Sequence, residues 1–160
     1  MKDHYTLPQD RPIGPSLIIE LSCRILIPFI QLFALYVIAH GHYSPGGGFQ
    51  GGVLLGASYI LMAIAFDQKT SMRFFPLRAN TALAGTGVFL YTGTGLACAL
   101  LGGLFLDYSA LEPLFPPLGP VEWRSMGIFI VEVGVGLAVM SIMVSLFWDL
   151  ASGGKMDKGL

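Results

Sequence analysis

The sequence predicts an all-α integral membrane protein with four transmembrane helices and with both termini in the cytoplasm. Three observations support this prediction: long apolar segments, a shortage of charged residues, and lysine and arginine residues that collect on one side. The chain of 160 residues has a mean hydropathy of +0.68, and 12% of its residues are charged. A soluble domain has about 25% charged residues, so most of this chain is expected to lie in lipid.

Four apolar segments define the predicted helices. They cover residues 17–39, 45–66, 81–106 and 126–148. Roughly 17–25 such residues are needed to cross the hydrocarbon core. The second segment is long enough if its helix begins near Pro45, whereas a helix beginning at Gly51 would be about 24 Å long and too short. Because no polar stretch is long enough for a soluble domain, residues 1–160 are predicted to form a single membrane domain.

Basic residues set the predicted orientation. Of the nine lysine and arginine residues, all but Arg124 fall on one side of the predicted membrane. These are Lys2, Arg11, Arg24, Lys69, Arg73, Arg78, Lys155 and Lys158. Because lysine and arginine resist translocation, this side is predicted to be cytoplasmic, and the first and third connections lie outside. Trp123 and Trp148 flank the fourth segment and are expected to anchor it at the membrane interfaces.

A glycine-rich segment joins the first two apolar segments and is the most informative stretch of the chain. It reads Ser44-Pro45-Gly46-Gly47-Gly48-Phe49-Gln50-Gly51-Gly52. Each glycine costs on the order of 1 kcal/mol in a helix, so such a cluster is favoured where a chain turns or where backbones touch. Ser44 and Pro45 are typical of a helix start. Gly48, Gly52 and Gly56 are four residues apart and predict a bare ridge on which a neighbouring polypeptide packs closely.

Several functional classes lack support in the sequence. Gly46, Gly48 and Gly51 match a dinucleotide-binding fingerprint in letters alone, because no strand–helix context surrounds them. Cys23 and Cys98 lie in apolar segments without metal-ligand spacing, which favours small packing residues. The net charge of −1 indicates no nucleic-acid partner, and the chain lacks a nucleophile–base pattern typical of an enzyme. We therefore predict no metal, no cofactor and no catalytic site.

Glu132 is the least expected residue, because it lies about a third of the way into the fourth apolar segment. A charged carboxylate there costs a few kcal/mol unless it faces protein or water, is paired or is protonated. Two interpretations remain open. Glu132 is either a group that relays protons or cations, or a structural carboxyl that binds a polar group of a neighbouring subunit.

Other ionisable residues are weaker candidates for an ion or proton pathway. Glu20 and Arg24 are four residues apart in the order that favours a local ion pair, near the cytoplasmic end of the first segment. Pro28 is expected to kink this helix and to leave the carbonyl of Arg24 without a hydrogen bond, which makes a secondary site. His40 and His42 lie at the outer end and could relay protons or sense pH, or bind the amides of the glycine-rich segment.

A longer version of the glycine-rich segment carries a family resemblance. It reads Gly41-His42-Tyr43-Ser44-Pro45-Gly46-Gly47-Gly48-Phe49-Gln50-Gly51-Gly52. This run resembles the signature of the B subunit of multisubunit Mrp/Mnh-type sodium/proton antiporters, whose relatives also occur in antiporter-like modules of membrane-bound hydrogenases. The resemblance implies a small four-span subunit of a prokaryotic inner membrane. It also implies larger membrane partner subunits, with sodium ions and protons as the species that the complex transports.

Three functional hypotheses follow. The first is a non-catalytic small subunit of a multisubunit cation/proton antiporter, which holds the assembly together or lines an ion conduit. The second is the same fold in a membrane-bound hydrogenase or a related redox-driven pump. Its redox centres would lie in other subunits, because this chain has no cysteine clusters for iron–sulfur ligation. The third and least favoured is a free-standing homo-oligomeric channel.

Overall fold

The computed structural model describes residues 17–41, 46–114 and 119–153, and these parts of the chain are helical, without strands. The helices are α1 (Leu17–Ala39), α2 (Gly48–Phe66), α3 (Gln68–Phe74), α4 (Leu77–Leu100), a 3-10 helix (Tyr108–Leu114) and α5 (Pro120–Ala151). Four of them, α1, α2, α4 and α5, are long and apolar enough to cross a membrane. The prediction of an all-helical fold with four membrane helices is confirmed.

The four long helices pack in the order α1, α2, α5, α4. Contacts join α1 to α2, α2 to α5, and α5 to α4, while α3 lies against α2 and the 3-10 helix lies against α5 and α4. α1 is a single helix that continues through Pro28. The buried members of the main core are Ala34, Ile38, Leu55, Phe75, Met140, Val144 and Trp148. α5 contacts both α2 and α4, so it joins them, while α1 packs chiefly on α2.

α2 begins at Gly48, between the two starting points that the sequence left open. Gly47 precedes it in an extended conformation, while Ser44 and Pro45 lie outside the described residues. The helix has 19 residues, which gives a length of about 28 Å. This length is close to the roughly 30 Å of a bilayer core, so α2 spans the core without the first half of the glycine-rich segment.

α4 begins earlier than predicted, at Leu77 instead of residue 81. The sequence prediction stopped short because Asn80 is polar. In the fold, the amide Nδ2 of Asn80 donates hydrogen bonds to the carbonyl oxygen of Ser141 at 3.0 Å and to Oγ of Ser145 at 2.6 Å. Since α5 supplies these acceptors, a buried asparagine is compatible with the first turn of a membrane helix.

α4 also ends earlier than predicted, at Leu100 instead of residue 106. Gly102 adopts a positive φ of 89°, which glycine tolerates at a helix end. The next amide, that of Gly103, donates to the carbonyl of Cys98 at 3.1 Å. This backward hydrogen bond closes the helix, and the chain turns away before the end of the apolar run.

α5 extends beyond its predicted segment at both ends. It covers Pro120–Ala151, which is 32 residues, whereas the sequence predicted a helix over residues 126–148. Gly119 caps its start, and the backbone N–H of Gly119 donates to Oε2 of Glu122 at 2.5 Å. Capping by a carboxylate at this position satisfies a donor that the helix cannot pair. At about 48 Å, α5 is longer than the bilayer core.

The connection after α2 contains a short helix that the sequence analysis missed. Asp67 has a positive φ of 97°, and its carboxylate accepts a hydrogen bond from the backbone N–H of Gln68 at 2.7 Å, which caps α3. Gln68 also donates from Nε2 to the carbonyl of Trp148 at 3.3 Å. Trp148 is fully buried against Phe75. The prediction that Trp148 anchors an interface is therefore wrong, because α3 and Phe75 cover it.

Candidate functional site at Glu132

The carboxylate of Glu132 lies where α1 ends and α2 begins. Glu132 is 12 residues after Pro120, roughly 18 Å along α5. The side chain is partly buried, and its Oε2 atom is shielded from solvent. A Cβ atom at Gly41 would collide with this carboxylate and lie 2.6 Å from its Cδ atom, and one at Gly47 would lie 3.1 Å from Oε1. The carboxylate thus occupies space that glycines leave open in two consecutive helix ends.

The ridge of Gly48, Gly52 and Gly56 faces α5 of the same chain. A Cβ atom at Gly48 would collide with the backbone carbonyl of Glu132, and one at Gly52 would lie 2.6 Å from the carbonyl oxygen of Gly136. At Gly56 the nearest atom would be Cβ of Met143, at 3.2 Å. The polypeptide that packs on the ridge is therefore α5, where the sequence analysis expected a neighbouring chain.

The remaining described residues of the glycine-rich segment have different surroundings. Gly51 faces α1, where a Cβ atom would lie 2.9 Å from the carbonyl oxygen of Ala34. Phe49 is 63% exposed and points away from the bundle, and Gly46 is half-buried. Together with the glycine ridge that faces α5, Gly51 makes α2 a helix that is packed closely on two sides.

Three further glycines on α4 and α5 were not singled out from the sequence. A Cβ atom at Gly87 would lie 2.6 Å from the backbone nitrogen of Ala138, and one at Gly134 would lie 2.9 Å from the carbonyl oxygen of Gly87. Gly136 faces Gly48, because a Cβ atom added at Gly136 would lie 3.2 Å from the carbonyl oxygen of Gly48. The pair Gly134 and Gly136 in the sequence indicates close helix packing. The helices that pack there, α4 at Gly134 and α2 at Gly136, could not be predicted from residue spacing.

Tyr108 covers α5 on the side of the 3-10 helix. A Cβ atom at Gly127 would collide with the ring of Tyr108, so the ring rests directly on the α5 backbone. Burial raises the pKa of the Tyr108 phenol above its ordinary value of 10.0, with further contributions from the charges of Cys98, Tyr91 and Glu132. Burial is the largest of these causes and the charge of Glu132 the smallest.

The other sequence-predicted candidates that the structure describes form hydrogen bonds to residues of α1. His40 follows α1, and its Nδ1 atom donates to the carbonyl oxygen of Tyr36 at 3.1 Å, while His42 lies outside the described residues. The predicted ion pair between Glu20 and Arg24 is present, with 2.7 Å between Oε1 and Nη2. Arg24 lies 15 residues before the end of α1, so the pair is roughly 22 Å from the glycine-rich segment.

The chemistry available at this site is that of one carboxylate packed against glycines at the end of α1 and before the start of α2. Such a group can accept a proton, and as an anion it can accept hydrogen bonds or attract a cation. Within the ranges 17–41, 46–114 and 119–153, no three histidine, cysteine, aspartate or glutamate side chains group as a metal site would require. Cys23 and Cys98 are both buried and free, as expected for packing residues.

The four apolar helices and an intramembrane carboxylate define a multi-pass membrane protein. Residues 18–145 match the family described as a domain related to the MnhB subunit of Na+/H+ antiporter. Since the match covers most of the chain, the protein belongs to this family.

Known proteins with similar sequence or structure agree with this membership. The chain is 32% identical over 131 residues to the B subunit of the Na(+)/H(+) antiporter of Bacillus subtilis (strain 168), and the match covers 82% of this chain and 90% of that protein. A chain in the structure of the membrane-bound sulfane sulfur reductase, an archaeal respiratory membrane complex, superposes with a TM-score of 0.53 and 27% identity. That match covers 84% of this protein but 60% of the archaeal chain, so the protein spans less than two thirds of that neighbour.

Proposed function

We propose that this protein is a small membrane subunit of a multisubunit sodium/proton antiporter. The observation that carries the proposal is the family match over residues 18–145, together with a relative of nearly the same extent that is itself the B subunit of such an antiporter. In this role the protein binds larger membrane subunits, and the assembly transports sodium ions and protons. The subunit itself carries out no covalent chemistry and needs no cofactor.

The proposed location is the inner membrane of a prokaryotic cell, with both termini in the cytoplasm. The orientation follows from the distribution of basic residues. Lys69 and Arg73 lie between α2 and α4 and Arg78 lies at the start of α4, whereas the α4–α5 connection and the first turns of α5 carry Arg124 alone. In this orientation the glycine-rich segment and the carboxylate of Glu132 lie toward the outer half of the membrane. Protons or cations entering from outside would meet Glu132 before the apolar core.

Glu132 is proposed to take part in the ion or proton pathway of the complex. Its carboxylate is half-buried in the membrane region, so its ionised form is costly unless it is compensated. The glycines at 41 and 47 leave space for it at the end of α1 and before the start of α2. A carboxyl that is packed against glycines and is partly open to its surroundings has the properties of a group that gains and loses a proton.

A second candidate function is a subunit of an antiporter-like module in a redox-driven membrane complex, such as a membrane-bound hydrogenase. The observation that favours it is the structural likeness to a chain of an archaeal respiratory membrane complex. The companions of the native protein distinguish the two. Iron–sulfur or nickel proteins recovered with it would support the redox complex, and their absence from an active antiporter would support the first function.

The experiment that tests the pathway role replaces Glu132 within the whole antiporter. Glu132→Gln keeps the shape of the side chain and removes its charge. We expect the complex to assemble in normal amounts, as judged on native gels, and sodium-dependent antiport in everted vesicles to be abolished or shifted in its pH profile. Glu112→Gln is the matched control, because Glu112 is exposed on the 3-10 helix, and it should leave antiport unchanged.

Gly41→Ala is an independent test that keeps the charge of Glu132. The new Cβ atom would collide with the carboxylate of Glu132, which lies at the end of a flexible side chain and can move aside. Antiport should therefore change in the same direction as in Glu132→Gln, with assembly retained. Normal antiport in both variants would remove Glu132 from the pathway and leave it a structural carboxyl.

A further inference from the structure

A groove lies between α1, α2 and α3, at the end of the molecule where α1 begins and α2 ends. Its volume is about 450 Å³, within the roughly 300–1,000 Å³ of sites that bind small ligands. The apolar walls come from Ile27 and Pro28 of α1, from Met62 and Phe66 of α2, and from Phe74 of α3. Two polar residues, Gln31 and Thr70, complete the lining, and a long hydrocarbon chain is the kind of ligand that the apolar walls can accept.

The rim of the groove carries a positively charged group. Arg24 lines it, with the guanidinium Cζ atom 5.8 Å from the ring centroid of Phe66, a distance at which the cation and the ring attract each other. The side chain is 66% exposed while Nη2 donates to Glu20. A guanidinium has five N–H donors, so Arg24 can bind a second anion next to that carboxylate.

The surroundings of the groove are basic as well. Lys69 and Arg73 on α3 and Arg78 at the start of α4 are exposed at the same end of the molecule. Asp67, the acidic residue of this connection, has its carboxylate engaged by the backbone of Gln68. An anion that approaches the rim therefore meets mostly positive charge.

We propose that this groove binds a phospholipid with an anionic headgroup, such as phosphatidylglycerol. The headgroup phosphate contacts Arg24, since guanidinium donors match phosphate oxygens, and one acyl chain follows the apolar walls between α1 and α2. Basic pockets between membrane helices bind acidic lipids by this combination. The charge at the rim favours a lipid over an apolar helix of a partner subunit, which would leave Arg24 facing hydrocarbon. This site is separate from the proposed pathway at Glu132.

The test uses the assembled antiporter in vesicles of neutral phosphatidylcholine. Trace amounts of photoactivatable phosphatidylglycerol are added to one sample, and the equivalent phosphatidylcholine, with the same diazirine-bearing acyl chain, to another. After illumination, the labelled peptides of this protein are mapped by mass spectrometry. We expect residues 62–74 to be labelled about fivefold more by phosphatidylglycerol, since one basic residue near the surface contributes on that scale.

Two variants that each remove one positive charge test whether Arg24 itself binds the headgroup. Arg24→Gln should reduce labelling by phosphatidylglycerol to the level of phosphatidylcholine, whereas Arg78→Gln removes an equal charge nearby but outside the groove walls and should leave the preference intact. Equal labelling by both lipids in the wild-type complex would overturn the proposal, and this comparison holds even if Arg24→Gln fails to assemble. An equal loss in both variants would also overturn it. So would a crosslink from a photoreactive residue in place of Thr70, which lines the groove, to another subunit and not to lipid.

Discussion

Replacing Gly48 by alanine is expected to push α2 away from α5. The new Cβ atom would lie 2.7 Å from the carbonyl carbon and 2.8 Å from Cα of Glu132, and it would collide with the carbonyl oxygen, whereas ordinary contacts begin at 3.4 Å. All three neighbouring atoms belong to the backbone of α5, so no side chain can move aside. The two helices must separate locally by about 0.7 Å or more, the difference between 3.4 and 2.7 Å.

The expected cost of this separation is about 1–3 kcal/mol, the usual range for overpacking a close contact. Gly52→Ala should cost a similar amount, because its Cβ atom would lie 2.6 Å from the carbonyl oxygen of Gly136. Gly56→Ala should cost less, since its nearest neighbour would be at 3.2 Å. Gly85→Ala is the matched control on α4, with no atom within 4 Å, and it should stabilise its helix by up to about 1 kcal/mol.

Thermal unfolding of the full-length protein, fused to a fluorescent protein and followed by size-exclusion chromatography in detergent, measures these differences. A loss of 1–3 kcal/mol corresponds to a Tm lower by about 2–12 °C for a chain of this size. The decisive feature is the order of the four variants, from Gly48 and Gly52 through Gly56 to Gly85. If Gly48→Ala and Gly85→Ala unfolded at the same temperature, the close contact between α2 and α5 would be refuted.

Two further predictions concern other contacts of α5. Because the pKa of Tyr108 is raised in the folded protein, the neutral phenol contributes stability that is complete below about pH 10 and is lost as pH rises through the folded-state pKa. Tyr108→Phe should therefore reduce the fall of Tm between about pH 9 and pH 12. Parallel curves of Tm against pH for the two proteins would contradict this. Asn80→Ala should lower stability by about 0.5–2 kcal/mol, since it removes hydrogen bonds to Ser141 and Ser145 across two membrane helices. A double-mutant cycle with Ser145→Ala checks the pair, and additive effects would show that the two side chains do not interact.

The number of long helices and their approximate positions follow from the sequence because hydrophobic length is a property of each segment alone. Helix ends are less predictable where a polar residue finds its partner elsewhere. Asn80 marks the difference, since it interrupts the apolar run in sequence but lies within the first turn of α4 once α5 supplies its acceptors. Trp148 shows the same limitation, because burial under Phe75 depends on α3, a short helix without a strong apolar pattern.

The sequence singled out Glu132 and, away from that site, one local contact. The ion pair of Glu20 and Arg24 depends only on a spacing of four residues in one helix, and the structure has it. The contacts of Glu132 could not be predicted, because they join α5 to the end of α1 and the start of α2. Residues far apart in the chain meet there only through the order in which the helices pack.

Hydrophobicity and local spacing by themselves determined that this is a four-helix membrane protein with a side-chain-free ridge on its second span and a carboxylate in its fourth. Only the tertiary structure decided that the ridge receives α5 of the same chain and that this carboxylate faces the glycines at 41 and 47. The physical reason is that a glycine permits close approach by any backbone, whereas the identity of the approaching backbone depends on how the whole bundle packs.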